Sequence, residues 1–386
     1  MDDARPLDDP RSTSSVDERT KENNTMRKRS MALAATLAVT SLGIAACGDS
    51  KSSSSSSTAK AGKVGVILPD SASSARWETA DRKFLTDAFK AANVTADIQN
   101  ANGDKAKFAT LCDQMISGGV SVLMIVNLDS ETGAACEKKA TAQGIKSIDY
   151  DRLTLGGDAS FYVSFDNVAV GTAQGEGLAT CLSKAGKTSG PVALLNGSPT
   201  DNNATLFKNG YKAALEAAGY TIAADQSVPD WDNTKAGTIF EQMYTKANGN
   251  FIGVDAANDG LGAAVIAVLK KNGVNGKVPV TGQDATDEGL QNVLLGDQCM
   301  TVYKAVKKEA DAASALAIAL SKGETPTVSG TVKDTDAGKD VPAQLLVPQA
   351  IFADTVKDVI ADGFTTAAKV CTTAALKAAC TKYGVS

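Results

Sequence analysis

Short apolar runs alternate with amphipathic stretches along most of this chain, and the alternation predicts strands and helices in regular succession. Lys63 to Pro69 reads as a first buried strand. Trp77 to Ala92 reads as a helix with Phe84, Leu85, Ala88 and Phe89 on its apolar side. Ala96 to Asn100 is a second strand, and Asp104 is placed to cap the helix that ends at Gly118-Gly119. Val120 to Val126 is nearly all apolar, as a strand covered on both faces should be. A helix over Glu131 to Gln143 and strands at Ile145 to Tyr150 and Phe161 to Phe165 complete the first cycle.

The cycle then restarts with a helix from about Val168 to Lys184. Strands are expected at Val192–Leu195, Thr221–Val228, Ile252–Ala256 and Val278–Thr281, with helices between them at Ala204–Ala218, Lys235–Ala247 and Gly260–Lys271. Cys299 to Tyr303 reads as a strand and Lys304 to Ser321 as an alanine-rich helix. Gln344 to Val347 and Thr355 to Asp362 read as a late strand and helix. Two successive sets of alternating strand and helix point to an α/β fold with parallel sheets in two domains.

Ahead of this pattern the character changes. Met1 to Thr25 is polar and unpatterned, and reads as disorder or a mis-set start. Arg27-Lys28-Arg29 followed by the apolar Met31 to Ala46 reads as an export signal over 26–46. The small residues before Cys47 resemble a bacterial lipobox, which implies cleavage there and a lipid on Cys47, anchoring an extracytoplasmic protein to the cell membrane. The apolar run is shorter than the roughly 20 residues a spanning helix needs. Residues 47–61 form a serine-rich tether.

Composition narrows the chemistry. The chain of 386 residues contains no histidine, which excludes a histidine base, triad or metal ligand. A net charge of −5 without a long basic run after the leader argues against nucleic acid. Nothing calls for a cofactor or a metal. Six cysteines come after Cys47, and six allow 15 complete pairings. Cys371 with Cys380 is the favoured pair. Cys112 with Cys136, on successive helices, is a weaker one, because Cys112 also fits an apolar stripe with Phe108, Leu111, Met115 and Ile116.

The candidate site is built from the residues at the C-terminal end of each strand, since ligands of parallel α/β sheets bind at those ends. Arg76 and Trp77 come after the first strand, and Asp151 and Arg152 after the fourth. In the second half come Asp201 and Asn203, Trp231, Asn258 with Asp259, Gln283 with Asp284, and Lys304. Carboxylates accept, Arg152 and Lys304 donate, and amides do both, which suits a polyol whose hydroxyls are donor and acceptor at once. The only two tryptophans, Trp77 and Trp231, suit the C–H faces of a sugar ring. Capping competes with ligand contact at Asp201 and is the better reading for Asp166, Asn167 and Asp259. Gln283 reads as an orienter of Asp284, and Arg152 pairs equally well with Asp151 or with a ligand.

At these residues the chain resembles the xylose-binding proteins of bacterial ABC sugar importers, in the ribose/galactose-type group of periplasmic binding proteins. The segments that carry the resemblance include Arg76-Trp77, Asn100-Ala101-Asn102-Gly103, Tyr150-Asp151-Arg152, Gly197 to Ala204, Asn258-Asp259, Gly282 to Ala285 and Met300 to Lys304, within about Lys63 to Phe364. The resemblance implies a type I periplasmic-binding-protein fold, two Rossmann-like lobes joined by a three-strand hinge. It also implies sugar contacts from Arg76, Asp151, Arg152, Asp201, Asn203, Asn258, Asp284 and Lys304, with Trp77 and Trp231 stacking. The first lobe is expected to hold 62–165 plus 305–325, and the second 166–304 plus 326–386. The implied function is capture of a monosaccharide, D-xylose favoured, by a monomer that delivers it to an ABC permease without covalent chemistry. Glucose or another aldose, a sugar-sensing receptor and a glycoside-acting enzyme are the rivals. The first loop, Pro69 to Ser74, and the tail after Phe364 depart from the family pattern.

Overall fold

The computed structural model describes residues 62–386; the expected export signal, Cys47 and the expected serine-rich tether lie outside the described residues. Strand and helix alternate from the start. β1 (Lys63–Leu68) leads through a single π-helical turn at Trp77–Asp81 into α1 (Arg82–Ala91). Next come β2 (Ala96–Asn100), α2 (Lys105–Ser117), β3 (Val120–Ile125), α3 (Ser130–Ala142), β4 (Lys146–Tyr150) and β5 (Phe161–Phe165). β1 and β3 are buried almost throughout, because helices cover both faces of the sheet.

The chain then crosses into a second lobe. α4 (Asn167–Lys184), β6 (Gly190–Asn196), α5 (Asn202–Ala217), β7 (Tyr220–Ser227), α6 (Asn233–Lys246), β8 (Gly253–Ala256) and α7 (Asp259–Lys271) repeat the alternation. α8 (Asp287–Leu295) and β9 (Thr301–Tyr303) finish this pass. β7, β6 and β8 form a parallel sheet. The strand expected at Val278–Thr281 is only a single bridge, Val254 to Val280. Pro279 has no N–H to donate, so the ladder does not extend past the bonds that Val254 makes to Pro279 O and Thr281 N–H.

A second crossing returns the chain to the first lobe. α9 (Val306–Ser321) buries Ala310, Ala313, Leu316 and Ala317 in the core that also holds Val64, Val66 and Phe89. β10 (Gly330–Asp334) and β11 (Lys339–Leu346) form a hairpin, and β11 pairs in parallel with β5. The first sheet therefore has seven strands, ordered β10-β11-β5-β4-β3-β1-β2. This corrects the expected lobe boundary, which puts 330–346 in the second lobe. The physical reason is packing: Val341 and Ala343 point inward onto Leu153 and Tyr162. A third crossing leads to β12 (Gln349–Ile351), which pairs with β9, and to α10 (Val356–Ala361), α11 (Ala367–Val370) and α12 (Ala374–Tyr383). These last helices pack their Val356, Val359, Val370 and Leu376 against Leu290 and Val293 of α8.

Three disulfides reinforce the fold. Cys112–Cys136 ties α2 to α3, Cys181–Cys299 ties α4 to the segment before β9, and Cys371–Cys380 clamps the tail. Their Cα separations of 5.9, 6.5 and 6.2 Å lie in the usual range. Among the described residues, no helix is long and apolar enough to cross a membrane.

Candidate functional site

The loops after β1, β4, β6, β7 and β8 bring side chains of both lobes together at the boundary between them. All ten expected site residues line one cavity there: Arg76, Trp77, Asp151 and Arg152 from the first lobe, Asp201, Asn203, Trp231, Asn258 and Asp284 from the second, and Lys304 at the second crossing. Each is at most 6% exposed.

The second-lobe side chains are held by local geometry. Asp201 caps α5 by accepting from the Asn203 N–H at 2.9 Å, and Asn258 caps α7 by accepting from the Leu261 N–H at 2.9 Å. Capping and cavity lining are thus one placement, not rivals: each cap residue turns its other side-chain atom, Asp201 Oδ2 or Asn258 Nδ2, to partners in the cavity wall. Asp201 Oδ2 accepts from Trp231 Nε1 at 3.0 Å, which fixes that indole. The indole lies directly over Gly197, where a Cβ would come within 2.1 Å of the ring. Phe207, one helical turn after Asn203, meets Trp231 edge-on with centroids 6.5 Å apart.

The first-lobe side chains are held by buried ion pairs. Arg76 donates through Nε and Nη2 to Asp81 at 2.9 and 2.8 Å, through Nη1 to Asp151 at 3.0 Å, and through Nη2 to Glu309 at 2.7 Å. Four of its five N–H groups are therefore committed to the protein. This revises the expected role of Arg76 from a free sugar donor to an organiser with one N–H to spare. Burial works against its charge, but the three carboxylates hold the guanidinium protonated well above its ordinary range. Burial would also raise the Asp151 carboxyl; Lys304, Arg76 and Arg152 outweigh it and hold the group below its usual value. Trp77 donates from Nε1 to Ser73 Oγ at 3.1 Å, with the Arg76 and Arg152 guanidinium groups 4.4 and 5.6 Å from its ring centroid.

Across the boundary these groups bind one another. Asn203 Nδ2 donates to Asp151 O at 2.9 Å and Oδ1 at 3.1 Å. Arg152 Nε lies 3.0 Å from Asp201 Oδ2, so its partner is Asp201 rather than Asp151. Asn258 Nδ2 donates to Ser73 O at 3.0 Å. Lys304 Nζ lies 3.3 Å from Asp284 and 3.7 Å from Asp151. Asp151, Trp231 and Asp284 hold left-handed backbone, with φ of 66, 55 and 92°. Non-glycine residues in that region carry strain and cluster at functional sites.

Three neighbouring groups behave differently from expectation. Gln283 lines the cavity but does not touch Asp284: its Nε2 donates to Ala257 O at 2.9 Å. Asp259 does not cap α7. It is buried and accepts from Gln298, Thr301 and Thr286, and burial pushes it to about 7. Asp166 does cap α4, accepting from the Ala169 N–H at 3.0 Å. Asn167 instead donates from Nδ2 to Asn203 Oδ1 at 3.0 Å. Ser73, Ser74 and Phe207 also line the cavity, although strand-end placement does not single them out. The helical spacing of Phe207 from Asn203 was a usable signal. For the serines the signal was Asp70, whose carboxylate accepts from the Ser73 N–H and hydroxyl and so turns the first loop inward.

Two α/β lobes joined by three crossings, with polar side chains from both converging on a buried cavity, define a type I solute-capturing protein. The chain belongs to the periplasmic binding protein family: the family model, described as a periplasmic binding protein domain, matches residues 64–325. The family's members bind rather than catalyse. The D-xylose-binding periplasmic protein of Escherichia coli (strain K12) is 33% identical over 311 residues, covering 79% of this chain and 92% of the relative. The protein of the same name in Haemophilus influenzae is 35% identical over 318 residues, covering 81% and 93%. Among solved structures, a carbohydrate transporter solute-binding protein from Chloroflexus aurantiacus, in complex with D-glucose, superposes with a TM-score of 0.71. It is 29% identical and covers 79% of this chain and 97% of that one.

Proposed function

We propose that the protein captures an aldopyranose, D-xylose first, between its two lobes and presents the closed form to an ABC permease. The observation that carries this reading is the balanced set of buried acceptors and donors, flanked by two indoles, at one cavity shared by both lobes. A sugar hydroxyl needs an acceptor and a donor together. Asp151, Asp201 and Asp284 supply the first, Arg152 and Lys304 the second, and Asn203 and Asn258 both. Trp77 and Trp231 offer apolar faces to the ring. Because every one of these side chains is buried, the ligand reaches them only when the lobes part. It then shifts the population toward the closed form.

The preference for xylose is supported by the two relatives that carry that name. The glucose-bound neighbour keeps glucose as the second reading. The protein works outside the cytoplasm as a monomer, held to the membrane by a lipid on Cys47. Titration with xylose, glucose, ribose, arabinose and galactose, followed by tryptophan fluorescence and calorimetry, tests the reading. Saturable binding of xylose that Asp284→Ala abolishes is expected. Glucose binding alone would move the substrate, and a folded protein indifferent to every sugar would sink the proposal.

A further inference from the structure

We propose that the protein has an outer subsite for a second sugar unit, so that it takes glycosides and disaccharides whose terminal ring occupies the inner cavity. This rests on the sugar-binding reading above and extends it. A second cavity of about 330 Å³ adjoins the first and shares Ser73, Ser74, Arg76, Asn258 and Asp284 with it. Its volume lies at the lower end of the range for small-molecule sites.

One polar atom on the shared wall has no partner, and a second is held only by an ion pair. Asp284, 6% exposed, has its Oδ1 within 3.3 Å of Lys304 but in no hydrogen bond, and Ser74 Oγ is buried and unpaired. Buried polar groups are normally satisfied. The Ser74 hydroxyl can donate to the bridging oxygen of a glycosidic link at the junction of the two cavities, and the Asp284 carboxylate can accept from a neighbouring sugar hydroxyl.

The outer wall comes from two elements. One is the start of α8, with Thr286 and Glu288; the other is the tail, with Phe364, Thr365 and Lys369. The tail is fixed there by several bonds. Thr365 Oγ1 donates to Asp287, Gln291 Nε2 donates to Lys369 O at 3.0 Å, and Phe364 packs edge-on against Tyr303 at 5.3 Å. These tail residues lie beyond the segment matched by the family model. A carboxylate, an amine, a hydroxyl and an aromatic edge can hold a second pyranose.

Calorimetry on the purified protein with xylose, xylobiose, glucose and cellobiose tests this. The disaccharide of whichever monosaccharide binds should also bind one to one, within about tenfold in affinity. Glu288→Gln and Lys369→Ala, both at exposed positions, should weaken the disaccharide fivefold or more and leave the monosaccharide within twofold. Monosaccharide binding with no disaccharide binding would overturn the outer subsite and leave the sugar reading standing. Disaccharide binding untouched by either variant would also overturn it. If no sugar binds at all, both readings fall.

Discussion

The two lobes hold their halves of the cavity by different means. In the first lobe, Arg76 and Asp151 stand in a web of buried charges drawn from distant parts of the chain, with Asp81, Glu309 and Lys304 as partners. In the second lobe, Asp201 and Asn258 stand at helix N-termini, held by the backbone beside them. One buried acid from each lobe shows how far the surroundings can move a carboxyl. Asp151, ringed by cations, is held low, whereas Asp255 in the middle of β8 is wholly buried and pushed by burial to about 8, with Thr281 opposing. Charge placed by other charges is costly to disturb. An uncharged side chain placed by a cap, as at Asn258, is cheap to disturb. First-lobe substitutions should therefore cost fold and binding together, and second-lobe substitutions should separate them.

The largest effect should come from Arg76→Ala, which strands three buried carboxylates. Removing one partner of a buried pair costs about 3–5 kcal/mol, and the midpoint of chemical denaturation measures it. A loss under about 1 kcal/mol, the scale of an exposed pair, would show that the web is not holding the lobe.

Next in size is the dependence on pH. Asp255 has a folded pKa of about 8, against an unfolded value near 3.9. Between those values the native state holds a proton that the unfolded chain has released, so stability falls as pH rises and levels off above about 8. One such proton contributes up to about 1.4 kcal/mol per pH unit. Asp255→Asn should flatten the fall between about pH 5 and 8. Asp151 acts in the opposite sense: its stabilisation is present above the unfolded value and is lost as pH drops through the depressed folded one. Denaturation of the variant and parent across this range measures the difference, and identical slopes would contradict the assignment.

Gly197→Ala should have an intermediate effect. Its methyl would meet the Trp231 ring, and such overpacking costs about 1–3 kcal/mol. Trp231 emission should change even without sugar. An unchanged spectrum with unchanged affinity would mean that the indole is not set by that contact.

Asn258→Ala should have the smallest effect on the fold, about 1 kcal/mol for the lost cap. Sugar affinity should nevertheless fall tenfold or more, because the contact to Ser73 and the cavity amide go together. Asn258→Ser should restore the cap and the thermal midpoint but not the affinity. If Asn258→Ser recovers both, the amide has no role beyond capping.

Legibility in the sequence divides along the same line. Asp104, Asp166 and Asp201 were readable because a cap sits beside the helix it starts, and strand-end placement brought the ten cavity residues into view; at α7 the cap expected at Asp259 falls one residue earlier, at Asn258. The Arg76 web was not readable. Asp81 is near in sequence, but Glu309 arrives only when the chain recrosses between lobes, and no local pattern announces that. The hairpin of β10 and β11 falls in the other lobe from the one expected for a related reason: alternation shows that a strand has an inner face but not which sheet receives it. Val278–Thr281 shows the converse, an apolar run with strand composition and room for only one bridge.

β11 takes its place beside β5 only after the three-stranded sheet of the second lobe has been threaded, so the first lobe completes its sheet late. Pairings between segments so far apart form slowly. Until residues 339–346 arrive, β5 presents an unpaired edge, and open edges invite pairing with other chains. A chain cut short of β11 would thus fail far from the cut, and the failure would appear as aggregation rather than as lost affinity.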